Sequence, residues 1–342
     1  MEAALYDEHD GYYFRRDLER WGRSGDYRTA PELSPLFAAT FASYFARLYE
    51  ELNAPRDWTI FEAGAGAGYF TYGVLQTLRR DYPQVFAATH CVIDEASADA
   101  RERASQRLGE FADRVEFRRL AEKSAPVKDA IVFANELLDA FPVHRVMMHE
   151  GKLSELFIGL GEADKFIWEK HEPSTPELAD YLGRYGIELS EGRIAEVNLE
   201  VEKWMRRAAS VFQHGYLIFV DYGAEARELY AAPHRRKGTL RAFHRHRFAA
   251  DVLDRPGEQD LTTTIDWTNV RRVGEALGLQ TVSFERQDEF LLRAGLLDNL
   301  QRLTAAASNE TEATILSSGV RELILPGGMS ESFQVLIQKQ KS

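Results

Sequence analysis

The chain of 342 residues has a single cysteine, Cys91, so an intrachain disulfide and a cysteine-based zinc cluster are both excluded. That lone cysteine sits in an apolar run that reads as a strand, which suits a reducing compartment. No apolar run approaches the length of a membrane span, and the opening residues MEAALYDEHD are acidic where a signal or transit peptide is basic. Positive charge is also short: 42 Lys and Arg stand against 54 Asp and Glu, a formal net charge of −12, so the surface repels phosphate backbones and anionic lipid. A cytoplasmic protein with no nucleic-acid and no membrane partner is expected. No internal repeat and no cluster of metal-ligating residues is visible. At 44% hydrophobic content the chain has enough apolar residues for one large α/β domain with insertions, or for two domains.

The stretch around which the rest is organised is Trp58–Gly73, WTIFEAGAGAGYFTYG. An apolar run ends in Glu62, glycines follow at Gly64, Gly66 and Gly68, and a helical pattern starts at Tyr69. Glycines let the backbone take positive φ and let a ligand lie against main-chain N–H groups. A dinucleotide fingerprint, G-x-G-x-x-G, is not met: its last glycine position is Tyr69 counted from Gly64 and Thr71 counted from Gly66, which disfavours a nicotinamide oxidoreductase. The run His90–Asp94 reads as the next strand, ending in Asp94 and Glu95. In nucleoside-binding α/β units an acidic side chain at that point accepts hydrogen bonds from ribose, and either carboxylate is placed to do so. The other then opens helix Ala98–Leu108 as a first-turn acid. Strands Val115–Leu120 and Ala130–Ala134 continue the alternation, and the latter runs into NELLDAFPVHRV. Asn135, Glu136, Asp139 and Pro142 therefore stand at the carboxyl end of a central strand, where open α/β sheets place their chemistry. Two carboxylates beside an amide suit a cationic nucleophile; a helix N-cap explains Asn135 and Glu136 equally, but not Asp139 and Pro142.

Residues 1–57 read as an N-terminal arm and helix packing on the core, with a helix start at Thr29, Pro31 and Glu32. Residues 58–142, 196–223 and 265–342 form the core. Between them, 143–195 reads as an inserted hairpin subdomain, with short strands at Arg145–Met148, Leu156–Ile158 and Lys165–Trp168. Helix Glu196–Phe212 and strand Tyr216–Val220, ending at Asp221-Tyr222-Gly223, restore the α/β rhythm. A second insertion, 224–264, reads as a loop or lid and carries a basic run, Arg235, Arg236, Lys237, Arg241, Arg245 and Arg247, expected to face the crevice and an acidic client. Such a run also serves as a solvated face. Helix Trp267–Leu277, strand Gln280–Phe284, a helical stretch Glu289–Glu322 and a closing strand Phe333–Ile337 complete the chain.

Together, GYY (Gly11–Tyr13), GDYRTAPELSPLF (Gly25–Phe37), the glycine turn, NELLDAFPVHR, DYG, GTLRAF, PGEQDLTTTIDW and PGGMSESFQVL resemble the MidA family of S-adenosylmethionine (SAM) methyltransferases, related to the mitochondrial complex I assembly methyltransferase. The resemblance covers nearly the whole chain. It implies an α/β, Rossmann-like class I methyltransferase fold: a mostly parallel sheet with helices on both faces, an antiparallel last strand and inserted subdomains. It further implies SAM as methyl donor, S-adenosylhomocysteine as product, and a protein client methylated on arginine nitrogen. Glu62, Gly64, Gly66, Gly68 and Asn135 then line the amino-acid side of SAM, and Asp94 or Glu95 the ribose. Asn135, Glu136 and Asp139 form the catalytic group, and Asp221, Tyr222, Asp260, Thr262 and Asp266 bind the substrate. The chain departs from the family where GPGRG is replaced by Gly64-Ala65-Gly66-Ala67-Gly68, and where Thr264 stands at a histidine position. A non-catalytic assembly factor and a small-molecule methyltransferase stay open as alternatives, and a dimer is compatible with the sequence.

Overall fold

The computed structural model describes residues 1–18, 20, 25, 29–120, 125–244, 247–325 and 332–341. Parts of the GDYRTAPELSPLF and PGGMSESFQVL motifs, and Arg245 of the basic run, lie outside the described residues. In chain order the strands are β1 Trp58–Ala63, β2 Thr89–Asp94, β3 Val115–Phe117, β4 Val127–Asn135, β5 His144–His149, β6 Lys152–Leu160, β7 Phe166–His171 and β8 Ile194–Val197. They continue as β9 Phe212–Ala224, β10 Arg241–His244, β11 Arg247–Phe248, β12 Asp260–Thr262, β13 Ile265–Asp266, β14 Leu279–Arg286 and β15 Phe333–Gln340.

Two compact units divide the chain. The larger takes residues 28–137, 205–222 and 274–342; the smaller takes 1–27, 138–204 and 223–273. In the larger unit the sheet order is β14-β15-β9-β4-β1-β2-β3. Pairs β3–β2, β2–β1, β1–β4 and β4–β9 are parallel, whereas β15, the last strand, runs antiparallel to both β9 and β14. The strand order turns back at β1, which lies between β2 and β4, so the carboxyl ends of β1 and β4 flank a topological switch point. Ligands of open α/β sheets bind there.

Every residue of β1 is buried, as a strand covered on both faces requires. Helix Pro35–Glu51 supplies much of that cover. Its Phe41 ring meets Phe37, Phe45, Phe70, Phe133 and Phe290, all fully buried or nearly so. Phe37, Phe41 and Phe45 recur every four residues and so share one helix face. The helical pattern after Thr29 is split in two: a single turn, Ala30–Leu33, precedes the long helix. Ser34 precedes a proline and is held extended, at φ −152° and ψ 130°, while its hydroxyl caps Leu36 N–H.

In the smaller unit, β7-β6-β5-β8 form an antiparallel sheet, and helix Glu177–Arg184 buries Leu178, Tyr181 and Leu182 in a cluster with Val146, Ala195 and Val197. β11-β10-β12 form a second small sheet, whose Ala242 and Leu261 pack with Leu5 and Tyr12. β13 pairs with the last two residues of β9, Gly223 and Ala224. Residues 194–197 are strand where the helical pattern starting at Glu196 predicts helix. The cap lies further on: Asn198 accepts from the N–H groups of Glu200 and Val201, and the helix runs Glu200–Ser210. β-branched Ile194 and Val197 then pair with β5.

Candidate functional site

The glycine turn follows β1. Gly64, Gly66 and Gly68 all have positive φ, at 71°, 52° and 77°, a region that L side chains rarely occupy. Space is also denied to a side chain: a Cβ on Gly64 meets Leu137 Cδ1 at 2.9 Å, and one on Gly68 meets Ala104 Cβ at 3.0 Å. The same contact sets the Asn135–Leu137 segment directly against the turn. Gly68 caps helix Tyr69–Asp81. From the outer side, Arg107 donates to Ala67 C=O at 3.0 Å and stacks its guanidinium 3.4 Å from the Tyr69 ring centroid. Beneath, Phe70 stacks on Phe133 of β4, with ring centroids 3.9 Å apart and planes 7° from parallel. A rigid shell thus fixes the main chain of the turn at the end of β1.

Glu62 is buried at the base of this turn and accepts a hydrogen bond from the Thr71 hydroxyl. Burial is the main reason its pKa is pushed up to about 8; the nearby charge of Glu95 adds to the rise, and the Thr71 bonds oppose it. Near neutral pH Glu62 is therefore largely a neutral acid, with no charge to offer.

The two carboxylates ending β2 have separate tasks. Gly64 N–H donates to the Asp94 carbonyl at 2.8 Å, joining the turn to β2. Glu95 binds Gly66 N–H through one oxygen and Ser97 N–H through the other, each at 2.8 Å. It staples the glycine turn to the start of helix Ala98–Arg107. The Gly66 N–H, expected to meet the ligand, is engaged by Glu95 instead. Asp94 is the last residue of β2 and forms an ion pair with Arg119 at 2.6 Å. Burial raises the pKa of both carboxyls.

β4 ends in Asn135, flanked in register by β9 at Val220. Glu136 then takes φ +50°, a left-handed conformation that costs a non-glycine residue energy, while its N–H donates to Val220 C=O at 2.9 Å. Asn135 Nδ2 donates to Glu136 Oε1 at 3.0 Å, and Asn135 Oδ1 is buried with no hydrogen-bond partner among the described residues. Backbone strain and an unsatisfied acceptor thus occur in adjacent residues at the switch point. Such features collect where a ligand completes the structure. Asp221 is buried next to this position on β9, accepting from Tyr222 N–H at 2.9 Å, and the Tyr222 ring packs edge-on against Phe333.

The remaining expected residues belong to the smaller unit. Asp139 lies in the turn Leu138–Ala140, is buried, and its carbonyl accepts from Thr263 N–H at 2.9 Å. Asp260 accepts from the Tyr13 hydroxyl at 2.8 Å, which joins the GYY and DLT motifs across 247 residues. Thr262 follows on β12, buried, with its hydroxyl oxygen lacking a hydrogen-bond partner among the described residues. Asp266 accepts from the Tyr181 hydroxyl at 2.7 Å and from Asn269 N–H at 3.1 Å, and burial raises its pKa. It lines a small pocket with Tyr181, Tyr230, Glu196, Asn198 and Thr264, walled also by Val143, Val201, Ile265 and Val270. Tyr181 and Glu196 carry no sequence signal that marks them. Glu196 is central: it binds Arg145 at 3.1 Å and Thr239 N–H at 2.6 Å, and it lies so close over Gly238 that any Cβ there meets its Oε1 at 2.2 Å. Of the basic run, Arg235 pairs with Glu228 at 3.1 Å and Arg236 donates to the Glu191 carbonyl at 2.8 Å. Both are engaged inside their own unit.

The family model of S-adenosyl-L-methionine-dependent methyltransferases named Methyltransf_28 matches residues 40–285. The chain belongs to this methyltransferase family. Over its whole length it is similar to a crystal structure of a COG1565 superfamily member from Burkholderia thailandensis bound to S-adenosyl-homocysteine. That likeness has a TM-score of 0.86 and 28% identity, and it covers 99% of this chain and 86% of the other. Among curated proteins, the mitochondrial protein arginine methyltransferase NDUFAF7 homolog of Drosophila melanogaster is 27% identical, covering 98% of this chain and 79% of the relative. Human NDUFAF7, also named a mitochondrial protein arginine methyltransferase, is 24% identical, covering 97% and 77%. The methyltransferase has the Rossmann-like class I fold and uses SAM. The glycine turn of this fold is tightly packed: the N–H groups of Gly64, Gly66 and Gly68 go to Asp94 C=O, the Glu95 carboxylate and Ala65 C=O, and a side chain at Gly64 or Gly68 would strike Leu137 or Ala104. No helix among the described residues is long and apolar enough to cross a membrane.

Proposed function

We propose that this methyltransferase transfers a methyl group to an arginine nitrogen of a protein client, with Asn135 and Glu136 holding the guanidinium. The observation that carries this reading is the end of β4: a left-handed Glu136 and a buried, unsatisfied Asn135 oxygen set against the glycine turn. The arginine methyltransferase name of the relatives supports the choice of acceptor. Bound SAM supplies an electrophilic methyl on a sulfonium. The chain's own residues then have to align a nucleophile and take up its charge. A guanidinium is planar, offers five N–H donors and is protonated at neutral pH. The free Asn135 oxygen and the Glu136 carboxylate are two acceptors on adjacent residues, suited to grip that plane and to stabilise its positive charge while a proton leaves. The glycine turn, with Glu62 neutral beneath it, takes the amino-acid end of SAM. Asp94 takes the ribose, because its partner Arg119 is an exposed side chain able to move aside, whereas Glu95 holds the main-chain N–H groups of Gly66 and Ser97.

The test is Glu136→Gln, which keeps shape and hydrogen bonding but removes the charge. Transfer of labelled methyl from SAM to an arginine-containing client in a lysate should fall by about 10²-fold or more, with SAM affinity by calorimetry nearly level. A loss of SAM affinity with unchanged turnover at saturating SAM overturns the assignment and makes Glu136 a cofactor contact. SAM binding with no transfer to any protein favours the assembly-factor reading.

A further inference from the structure

Among the described residues, twelve large hydrophobic side chains are exposed, and five of them, Phe157, Ile158, Leu160, Phe166 and Ile167, sit on the β6–β7 hairpin of the smaller unit. Leu160 is 65% exposed and Ile158 48%. Among the described residues β7 is also the edge of its sheet, paired only with β6. A long, apolar, unpaired edge is a template for another strand. We propose that β7 pairs antiparallel with β7 of a second copy of this chain, across a two-fold axis at Ile167.

The register follows from the structure. Gly161 N–H donates to Lys165 C=O at 2.8 Å, and Leu160 stands opposite Phe166. Hydrogen-bonded and non-bonded pairs alternate in an antiparallel ladder, so Phe166, Trp168 and Lys170 turn their N–H and C=O groups away from β6. A two-fold axis relating antiparallel edge strands stands perpendicular to the sheet, which keeps each face on its own side. Residues of like parity must therefore face each other. Centred on Ile167, Phe166 meets the partner's Trp168 in a hydrogen-bonded pair, and the symmetric pair repeats it. Lys165 then stands opposite the partner's Glu169, whereas Asp164 lies in the turn before β7 at φ +55° and is outside the paired strand.

The segment Lys165–Glu169, KFIWE, is thus self-complementary about its centre. Centring on Glu169 or Lys170 instead opposes like charges at the axis, and centring on Trp168 sets Lys165 against His171 of the second copy, which loses the Lys–Glu contact. Edge lysines ordinarily repel an incoming strand. Lys170 is held by His149 at 2.9 Å, so the selection falls on Lys165, which accepts only a strand with a carboxylate opposite it, and Glu169 of the second copy provides one. On the Phe166 side of the sheet, Arg145 holds the Trp168 ring from within, its guanidinium 4.6 Å from the centroid. Phe166 and Leu160 remain open to extend one apolar face across the pair.

Sedimentation of the full chain across the micromolar range should show a concentration-dependent dimer. Ile167→Asp, which opposes two carboxylates at the axis, should leave a monomer that still binds SAM. Lys165→Glu and Glu169→Lys should each weaken the dimer, and the double variant K165E/E169K should restore it, an outcome that general stickiness of an apolar patch does not produce. Ile167→Cys should also form a disulfide-linked dimer on oxidation, because residues in a non-bonded pair have Cα atoms about 4.5 Å apart. Cys91 is buried and gives no background. Leu160→Cys should not cross-link. A monomeric parent at every concentration, a double variant as weak as the single ones, or no cross-link at Ile167→Cys overturns the proposal.

Discussion

At Glu136 the backbone holds φ +50°, a conformation glycine takes freely and glutamate does not. Glu136→Gly should therefore raise stability by about 1 kcal/mol in denaturant titration while abolishing methyl transfer, the trade expected where function maintains strain. An unchanged or lower stability would show that the side chain, through Asn135, contributes more than the strain costs. Glu62 makes a prediction of a different kind. Its folded pKa of about 8 lies above the ordinary 4.5, so its contribution to stability is complete below the ordinary value. That contribution is lost as pH rises towards 8, at up to about 1.4 kcal/mol per pH unit. Glu62→Gln keeps an amide beside Thr71 and should flatten the decline, making the variant relatively more stable at pH 8 than at pH 5. Parallel stability curves for parent and variant would count against a neutral, buried Glu62.

Among elements, helix Pro35–Glu51 has the clearest energetic role in the larger unit. Phe41 touches five aromatic rings drawn from four elements of the chain, and no single neighbour is able to collapse into its place. Phe41→Ala should cost about 3–5 kcal/mol in chemical denaturation, as for other fully buried phenylalanines. A cost under about 1 kcal/mol would mean that the cluster repacks. The helix Glu200–Ser210 depends on its cap instead. Asn198→Ala removes the acceptor for two N–H groups and should cost about 1 kcal/mol, whereas Asn198→Asp should be tolerated.

For the molecule as a whole, the decisive property is linkage between cofactor and stability. S-adenosylhomocysteine at about 100 times its dissociation constant should stabilise the chain by roughly 2.7 kcal/mol, a rise of several degrees or less in melting temperature for a protein this large. Gly66→Leu forces a branched side chain into φ +52° at the turn and should remove that rise. A full ligand-induced shift in the variant would place the cofactor elsewhere. The net charge of −12 makes the protein's own association electrostatically unfavourable at low salt. The β7 pairing should therefore strengthen as moderate salt screens the overall repulsion, provided the two Lys–Glu contacts are partly desolvated.

The strand, glycine turn and helix between Trp58 and Asp81 are legible from the sequence because each rests on a local requirement: an apolar run, positive φ at alternate residues, a helical period. The acidic end of β2 and the Asn135–Glu136 end of β4 are legible for the same reason, and so is the antiparallel closing strand once the family resemblance is in hand. Contacts far apart in the chain leave no such mark. Only the folded structure puts β4 beside β1 so that Leu137 seals Gly64, gives Gly66 N–H to Glu95, and ties Tyr13 to Asp260. It also makes Ile194–Val197 a strand, because pairing with β5 outweighs a helical pattern that four residues cannot nucleate alone. Local conformational preference is written residue by residue, whereas the separate partners of Asp94 and Glu95, like those of every buried polar group, depend on which segments the sheet order brings together.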